Sequence, residues 1–231
     1  MIPDKINKED ISSEDMTHNR DSELANAPDN EDVLRPYKPK PRKKLNRGVL
    51  LGFLRYGLLR SLEDLTILDF SSLKIEEIPS YIGELIKLES LVLSSNKITH
   101  LPTEIGYLRS LEALKLDQNQ LSELPIAIGR LSRLQQLSVT FNQLETLPNQ
   151  IGNLENLKTL SLSHNRLQSL PAEIGQLKNL RYLVLIDNPL KTLPAEIALL
   201  QNLHTLNLTN TLISVHEKNK LRGLLPNTRV F

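Results

Sequence analysis

Hydrophobic and polar positions alternate along this chain in a pattern that returns at a fixed interval. From Leu134 to Pro148 the sequence LQQLSVTFNQLETLP follows the pattern L-x-x-L-x-V-x-x-N-x-L-x-x-L-P. The pattern recurs in steps of 23 residues, and its other copies begin at Leu65, Leu88, Leu111, Leu157, Leu180 and Leu203. The first and last of these copies are imperfect. Self-similarity of this period predicts a solenoid, in which each repeat forms one unit and stacks on its neighbours.

Each repeat carries the signal for one short strand. In L-x-x-L-x-L, alternate residues point to opposite faces, so the leucines face the core and the residues between them face outward. In the copy that begins at Leu134, the inward set also contains Leu137 and Val139. Stacked copies therefore predict a parallel sheet of about seven strands on the inner curve.

The second half of each repeat reads P-x-x-I-G-x-L, as in Pro102, Ile105, Gly106 and Leu108. Proline fixes φ at the start of a helical turn, so short 3₁₀ or α segments are expected on the outer curve. The glycine either permits close approach between outer segments or occupies a strained turn. Because the outer segments need more room than the strands, we expect an α/β solenoid that bends into an arc with a concave sheet.

An asparagine recurs at one turn of the five regular repeats. Its position in the pattern places the amide inside, where it can pair with backbone groups of its own coil and of the next. Leu73 and Thr211 replace it in the imperfect copies, which fits terminal repeats that lack one neighbour. The column consists of Asn96, Asn119, Asn142, Asn165 and Asn188.

Seven phased copies make the chain resemble the leucine-rich repeat family over roughly residues 49 to 231. The repeat consensus is similar to Ras-suppressor-like and plant intracellular Ras-group repeats. The ending HEKNKLRGLLPNTRVF is similar to that of bacterial multigene leucine-rich repeat families. The resemblance implies a non-enzymatic interaction module in signalling or scaffolding. Its partner would be a small GTPase, a phosphatase, another signalling protein, or a host protein if the source is a bacterial pathogen.

The period divides the chain into four parts. Residues 65–213 hold the seven repeats, and residues 214–231 are expected to cap the last coil with an amphipathic helix and an extended tail. Residues 48–64 are expected to form an N-terminal cap helix, because leucines recur at helical spacing in VLLGFLRYGLLRSL. A membrane-surface helix is the competing interpretation of that segment.

Residues 1–47 are expected to be a disordered arm of two opposite charges. Residues 1–32 carry ten Asp or Glu against three Lys or Arg, whereas residues 33–47 carry seven Lys or Arg and no acid. The basic part, RPYKPKPRKK, could be an import signal, a contact with an anionic surface or a docking segment. Alternatively, it is only a solubilising leash. If the arm is functional, the alternative is a tethering or targeting protein whose basic arm (35–47) contacts an anionic surface or import machinery, with the solenoid as a spacer.

Composition narrows the class of protein. The net charge is +1 and no cationic stripe is visible, so nucleic-acid binding is not expected. The chain has no cysteine, whereas extracellular leucine-rich repeat proteins usually close their ends with disulfides. Together with the lack of a secretory signal or a membrane span, this composition predicts a cytoplasmic protein, expected to be a monomer.

Catalytic chemistry has no recognisable signature in this sequence. The five histidines are His18, His100, His164, His204 and His216, and none has a second His or Cys at metal-ligand spacing. No phosphate-binding or dinucleotide-binding glycine loop is present. We therefore expect no enzyme activity, no cofactor and no metal.

The outward residues of the concave sheet are the candidate partner-binding surface. Most are small and polar, but strand six places Tyr182, Val184 and Ile186 in an outward row. Exposed apolar patches tend to mark partner sites, and tyrosine is frequent among interface anchors. The alternative is that β-branched residues merely suit a strand. The other candidate contacts are Val92, Lys115, Asp117, Gln136, Ser138, Thr140, Thr159, Ser161, Ser163 and Asn207.

Overall fold

The computed structural model describes residues 64–231, which form one parallel sheet with short turns along its other side. The sheet has eight strands in chain order, and β1 to β7 pair in a register of 23 residues, as in Leu114 with Leu137. The predicted parallel sheet is confirmed. Its strands are β1 Ile67–Asp69, β2 Ser90–Val92, β3 Ala113–Lys115, β4 Gln136–Ser138, β5 Thr159–Ser161, β6 Tyr182–Val184, β7 Thr205–Asn207 and β8 Arg229–Val230.

Short 3₁₀ helices form the outer side of the six complete coils. Each follows a proline with extended ψ, whose carbonyl accepts a hydrogen bond from the isoleucine three residues later, as between Pro102 and Ile105 (3.1 Å). That isoleucine is buried, so the turn attaches the outer side to the core. The helices are Ser80–Glu84, Thr103–Tyr107, Ile126–Arg130, Asn149–Asn153, Ala172–Gln176 and Ala195–Leu199.

The glycine of each outer turn serves close approach between coils. A Cβ placed on Gly152 would lie 2.6 Å from the carbonyl oxygen of Glu173 in the next coil and 2.9 Å from its Cβ. Contacts below 3.0 Å with backbone force neighbouring elements apart. No positive φ accompanies this position, so a strained turn is not the reason for the glycine. Ala198 stands here in the last copy, after which no further 3₁₀ helix follows among the described residues.

The repeated leucines and isoleucines form one continuous core through all the coils. Leu134, Leu137 and Val139 are at most 1% exposed, as the alternation predicts. Burial of such a side chain stabilises the fold by about 1.5–3 kcal/mol. Since each coil shares its core with two neighbours, stability depends on stacking, as in other solenoids.

The asparagine column lies inside the stack and connects consecutive coils. Asn119 Nδ2 donates to the carbonyls of Leu93 (2.9 Å) and Leu116 (3.0 Å), and its Oδ1 accepts from Ile98 N (3.0 Å). The five asparagines are between 2% and 8% exposed. At the first coil, which has Leu73 in this position, Asn96 Oδ1 accepts from two backbone groups instead of one.

The C-terminal segment covers the last coil with a helix and a strand. Helix α1, Val215–Leu224, is capped at its N-terminus by Ser214, whose Oγ accepts a hydrogen bond from Glu217 N (3.2 Å). The tail then adds β8, with Val230 8% exposed. Arg222 Nη2 donates to the carbonyl of Val230 (2.9 Å), which joins the helix to the strand.

Within residues 64–231, no helix combines the length and the apolar character that a membrane crossing requires. The expected N-terminal arm, residues 1–47, lies outside the described residues. The expected cap helix, residues 48–64, also lies outside them except for its last residue.

Candidate functional site

The inner face of the sheet presents the predicted apolar row at β6. Tyr182, Val184 and Ile186 are all partly exposed, and none belongs to the buried core. Their positions follow from the alternation, because Leu183 and Leu185 between them are fully buried. The inner-face residues of the neighbouring strands are polar, from the exposed Thr209 to the buried Ser163 and Asn207, so the row is bordered by polar side chains.

The other predicted contact residues share this face, but they are not equally accessible. Ser163 and Asn207 are each 6% exposed, so they can contribute little to a contact surface. Asn207 Oδ1 accepts from the backbone N (3.1 Å) and Oγ1 (2.7 Å) of Thr209, which holds the amide against its own strand. The remaining candidates are partly exposed: Val92, Lys115, Asp117, Gln136, Ser138, Thr140, Thr159 and Ser161.

Asp117 fixes the polar part of the face. Its Oδ1 accepts from Ser138 Oγ and from the backbone N of Thr140 (2.9 Å), both in the next coil. The carboxylate is therefore engaged within the sheet, and the side chains around it are held in place. This gives the face a fixed polar region at β3 and β4, which β5 separates from the apolar row at β6.

An aromatic and charged cluster, missed from the sequence, lies at the strand ends. Phe141 is 50% exposed and stacks on His164, with ring centroids 3.9 Å apart and an interplanar angle of 8°. His164 Nδ1 lies 3.3 Å from Asp187 Oδ2. The three residues occupy one position in three consecutive coils. The sequence did contain a signal for this cluster. In the column of residues that directly precedes the asparagines, Phe141 and His164 are the two aromatic rings, and they are consecutive.

This column has a left-handed backbone throughout the described coils. Its residues have φ between 52° and 58°, although none is glycine. Non-glycine residues rarely adopt this region, and bulky ones least of all. The column consists of Ser72, Ser95, Gln118, Phe141, His164, Asp187 and Asn210.

A second feature missed from the sequence is a change of charge along the strand-start edge. We use this name for the column one residue after the first leucine of each repeat: Thr66, Glu89, Glu112, Gln135, Lys158, Arg181 and His204. Its first half is acidic and its second half is basic. Gln135 connects the two, because its Nε2 donates to Glu112 (3.2 Å) and its Oε1 accepts from Lys158 (2.8 Å).

The two ends of this edge differ in their environment. Near β1, Lys87 Nζ lies 2.6 Å from Asp64 Oδ1, and this hydrogen bond, with the charge of Lys87, lowers the pKa of Asp64. Near β7, His204 Nδ1 lies 2.7 Å from the carbonyl oxygen of Asn202. The ring of His204 is also 6.0 Å from that of Tyr182, which joins the edge to the apolar row.

No group of three His, Asp or Glu side chains in residues 64–231 is arranged to hold a metal ion. The arrangement offers instead an extended, rigid surface with apolar, aromatic and charged parts.

Family models match most of the solenoid. A leucine-rich repeat region model matches residues 58–169, and a model of two leucine-rich repeat copies matches residues 155–195. The chain belongs to the leucine-rich repeat family. No curated protein sequence matches it. The Ras-suppressor-like resemblance within this family stays a prediction.

Solved leucine-rich repeat structures are similar to the chain over most of its length. The ectodomain of the Arabidopsis thaliana receptor kinase GASSHO1/SCHENGEN3 is 32% identical, with a TM-score of 0.62 and coverage of 67% of this chain and 19% of the receptor. The plant peptide hormone receptor RGFR1 is 29% identical, with a TM-score of 0.61 and coverage of 73% and 29%. The leucine-rich repeat ectodomain of GASSHO1/SCHENGEN3 supports the horseshoe fold.

A leucine-rich repeat protein of Leptospira interrogans is 36% identical, with a TM-score of 0.45 and coverage of 74% of this chain and 55% of that protein. The chain thus spans between about a fifth and just over half of the length of these three structures.

Proposed function

We propose that this leucine-rich repeat protein is a non-enzymatic interaction module that binds a partner protein on the inner face of its sheet, in a signalling or scaffolding role. The observation that carries the proposal is the row of three apolar side chains, Tyr182, Val184 and Ile186, on a mostly polar face. Apolar side chains on a solvated sheet face gain from being covered by a partner. The centre of the interface is β6.

The coils of β4 and β5, which precede β6, extend this surface. Phe141 and His164 present a half-exposed stacked pair at the strand ends of the two preceding coils. Aromatic rings contribute large contact area at a small cost in side-chain entropy, which suits an interface anchor. The proposed surface therefore runs from Phe141 across β5 to β6.

Rigidity favours binding without rearrangement. The asparagine column and the bonds of Asp117 to the next coil hold the face in one conformation. A surface that is already ordered loses little conformational entropy when a partner binds. The partner can then be a folded protein or an extended segment.

The compared proteins support this function by analogy. GASSHO1/SCHENGEN3 was solved in complex with CASPARIAN STRIP INTEGRITY FACTOR 2, and RGFR1 was solved in complex with RGF2. Both are receptors, and this chain covers 19% and 29% of them. For the present chain, the absence of cysteine supports a reducing, cytoplasmic location.

The test is affinity capture by the full-length chain from native lysate, compared with the double variant Tyr182→Ala, Ile186→Ala. We expect the double variant to retain its unfolding midpoint within a few degrees and to lose most of the captured partner. The matched control is Ile126→Ala with Leu199→Ala, because these side chains are exposed on the outer turns (65% and 50%). Equal capture by both double variants and the parent would place the binding surface elsewhere.

A further inference from the structure

We infer that the partner segment received at this face is acidic and carries an apolar side chain, with its carboxylates on the basic half of the strand-start edge. This inference rests on the proposed function, because it names the chemistry of the partner at the same surface. The observation behind it is the positive charge of the strand-start edge beside β6.

The cations of this edge are exposed and available. Within residues 64–231, Lys158 and Arg181 form no ion pair, and Lys158 is bound only to the neutral Gln135 (2.8 Å). Arg229, also exposed, lies on β8 beside Thr205. Arginine binds carboxylates in a bidentate manner, and its guanidinium is desolvated more easily than an ammonium group. Glu155 is the nearest acid in sequence to Lys158, and Asp187 is the nearest to Arg181. Asp187 Oδ2 lies 3.3 Å from His164 Nδ1. Lys158, Arg181 and Arg229 outnumber these two acids.

The edge and the apolar row form one surface. Arg181 precedes Tyr182 in the chain, and the Tyr182 ring lies 6.0 Å from the ring of His204 on the next strand. A segment that places an aliphatic or aromatic side chain on Tyr182 therefore brings its neighbouring residues over Arg181. Carboxylates at those neighbouring positions meet positive charge without any rearrangement of the sheet.

The charge change along the edge also selects where the segment lies. Glu112 occupies this column on the coil of β3, so an acidic segment is repelled there. Attraction is confined to the coils of β5 to β8. The edge thus fixes the position of the segment as well as its charge.

The experiment is selection from a random twelve-residue peptide display library on the immobilised full-length chain, followed by affinity measurement with the enriched peptides as synthetic probes. We expect enriched sequences that combine Asp or Glu with an aromatic or aliphatic residue. The variant Lys158→Glu, Arg181→Glu should weaken their binding by at least about tenfold, and added salt should weaken binding to the parent chain.

Two full-length controls isolate the edge. Arg166→Glu with Lys191→Glu makes the same charge change at exposed positions outside the strand-start edge, and it should leave affinity nearly unchanged. Replacement of Lys38, Lys40, Lys43 and Lys44 by Gln neutralises much of the basic arm and should also leave peptide affinity nearly unchanged. If the arm variant lost its affinity for the peptides while Lys158→Glu, Arg181→Glu kept it, the inference would be overturned.

The remaining outcomes separate the inference from the proposed function. Neutral peptides whose binding is lost in Tyr182→Ala, Ile186→Ala would overturn the acidic partner and leave the inner-face interface standing. Peptides that bind the parent chain, the edge variant and the β6 variant with equal affinity would overturn both the inference and the proposed function. Failure to enrich any acidic peptide would overturn the inference.

Discussion

Asn142 Oδ1 accepts a hydrogen bond from the backbone N–H of Leu121 in the preceding coil, at 3.0 Å. The amide nitrogen of the same side chain donates to the carbonyls of Leu116 (3.0 Å), Val139 (3.3 Å) and Thr140 (3.2 Å). One buried side chain thus satisfies backbone groups of two coils. This is how a coil can turn away from the sheet without leaving buried backbone unpaired.

Replacement of Asn142 by Ala should therefore destabilise the solenoid by about 1–3 kcal/mol, because several buried backbone groups lose their partner. Urea unfolding followed by circular dichroism measures the change. Asn149→Ala, an exposed residue on an outer turn, is the control and should shift the midpoint little. A midpoint for Asn142→Ala equal to that of the control would contradict the structural role of the column.

Gly152→Ala should also destabilise the protein, by about 1–3 kcal/mol. The added methyl would lie 2.6 Å from the backbone oxygen of Glu173, so the two coils must separate. Gly223→Ala is the matched control, because a Cβ there meets nothing within 4 Å, and helix α1 should gain up to about 1 kcal/mol. Comparable effects of the two substitutions on thermal unfolding would exclude close approach as the reason for the outer glycines.

Gln118→Val tests the left-handed column. Gln118 has φ of 54°, a region that β-branched residues strongly avoid, so the substitution should cost about 1–2 kcal/mol. Gln118→Asn removes the same hydrogen bond from Ser95 Oγ but tolerates this φ, and it should be close to neutral. The measurement is the difference in unfolding free energy between the two variants, and no difference would show that the turn relaxes to another conformation.

Arg222→Ala tests the C-terminal cap. Its guanidinium donates to the Val230 carbonyl through Nε (3.3 Å) and Nη2 (2.9 Å), so removal should loosen β8 and cost up to about 3 kcal/mol. Hydrogen exchange should then rise first at Phe231, whose N–H donates to the Leu206 carbonyl (3.1 Å). Lys220→Ala, in an exposed pair with Glu217, is the control. Unchanged protection at Phe231 would mean that the strand holds without the helix.

The sequence by itself determined the repeated part of this protein. The period of 23 residues set the strands, and the alternation of Leu137 with Gln136 and Ser138 set which face is buried. It also placed the outer turns after the prolines. These features follow from local spacing and from contacts between identical neighbouring coils, so one repeat predicts the next. The apolar row at β6 could be read for the same reason.

Tertiary structure decided what depends on side chains meeting across coils or at the ends. The stack of Phe141 on His164, the low exposure of Ser163 and Asn207, and the close approach at Gly152 all arise between coils or within a local hydrogen-bond pattern. The eighth strand forms because the tail after helix α1 pairs with β7 outside the 23-residue register. Periodicity fixes where a residue points, whereas the partner that it meets depends on the distance and shape of the neighbouring coil.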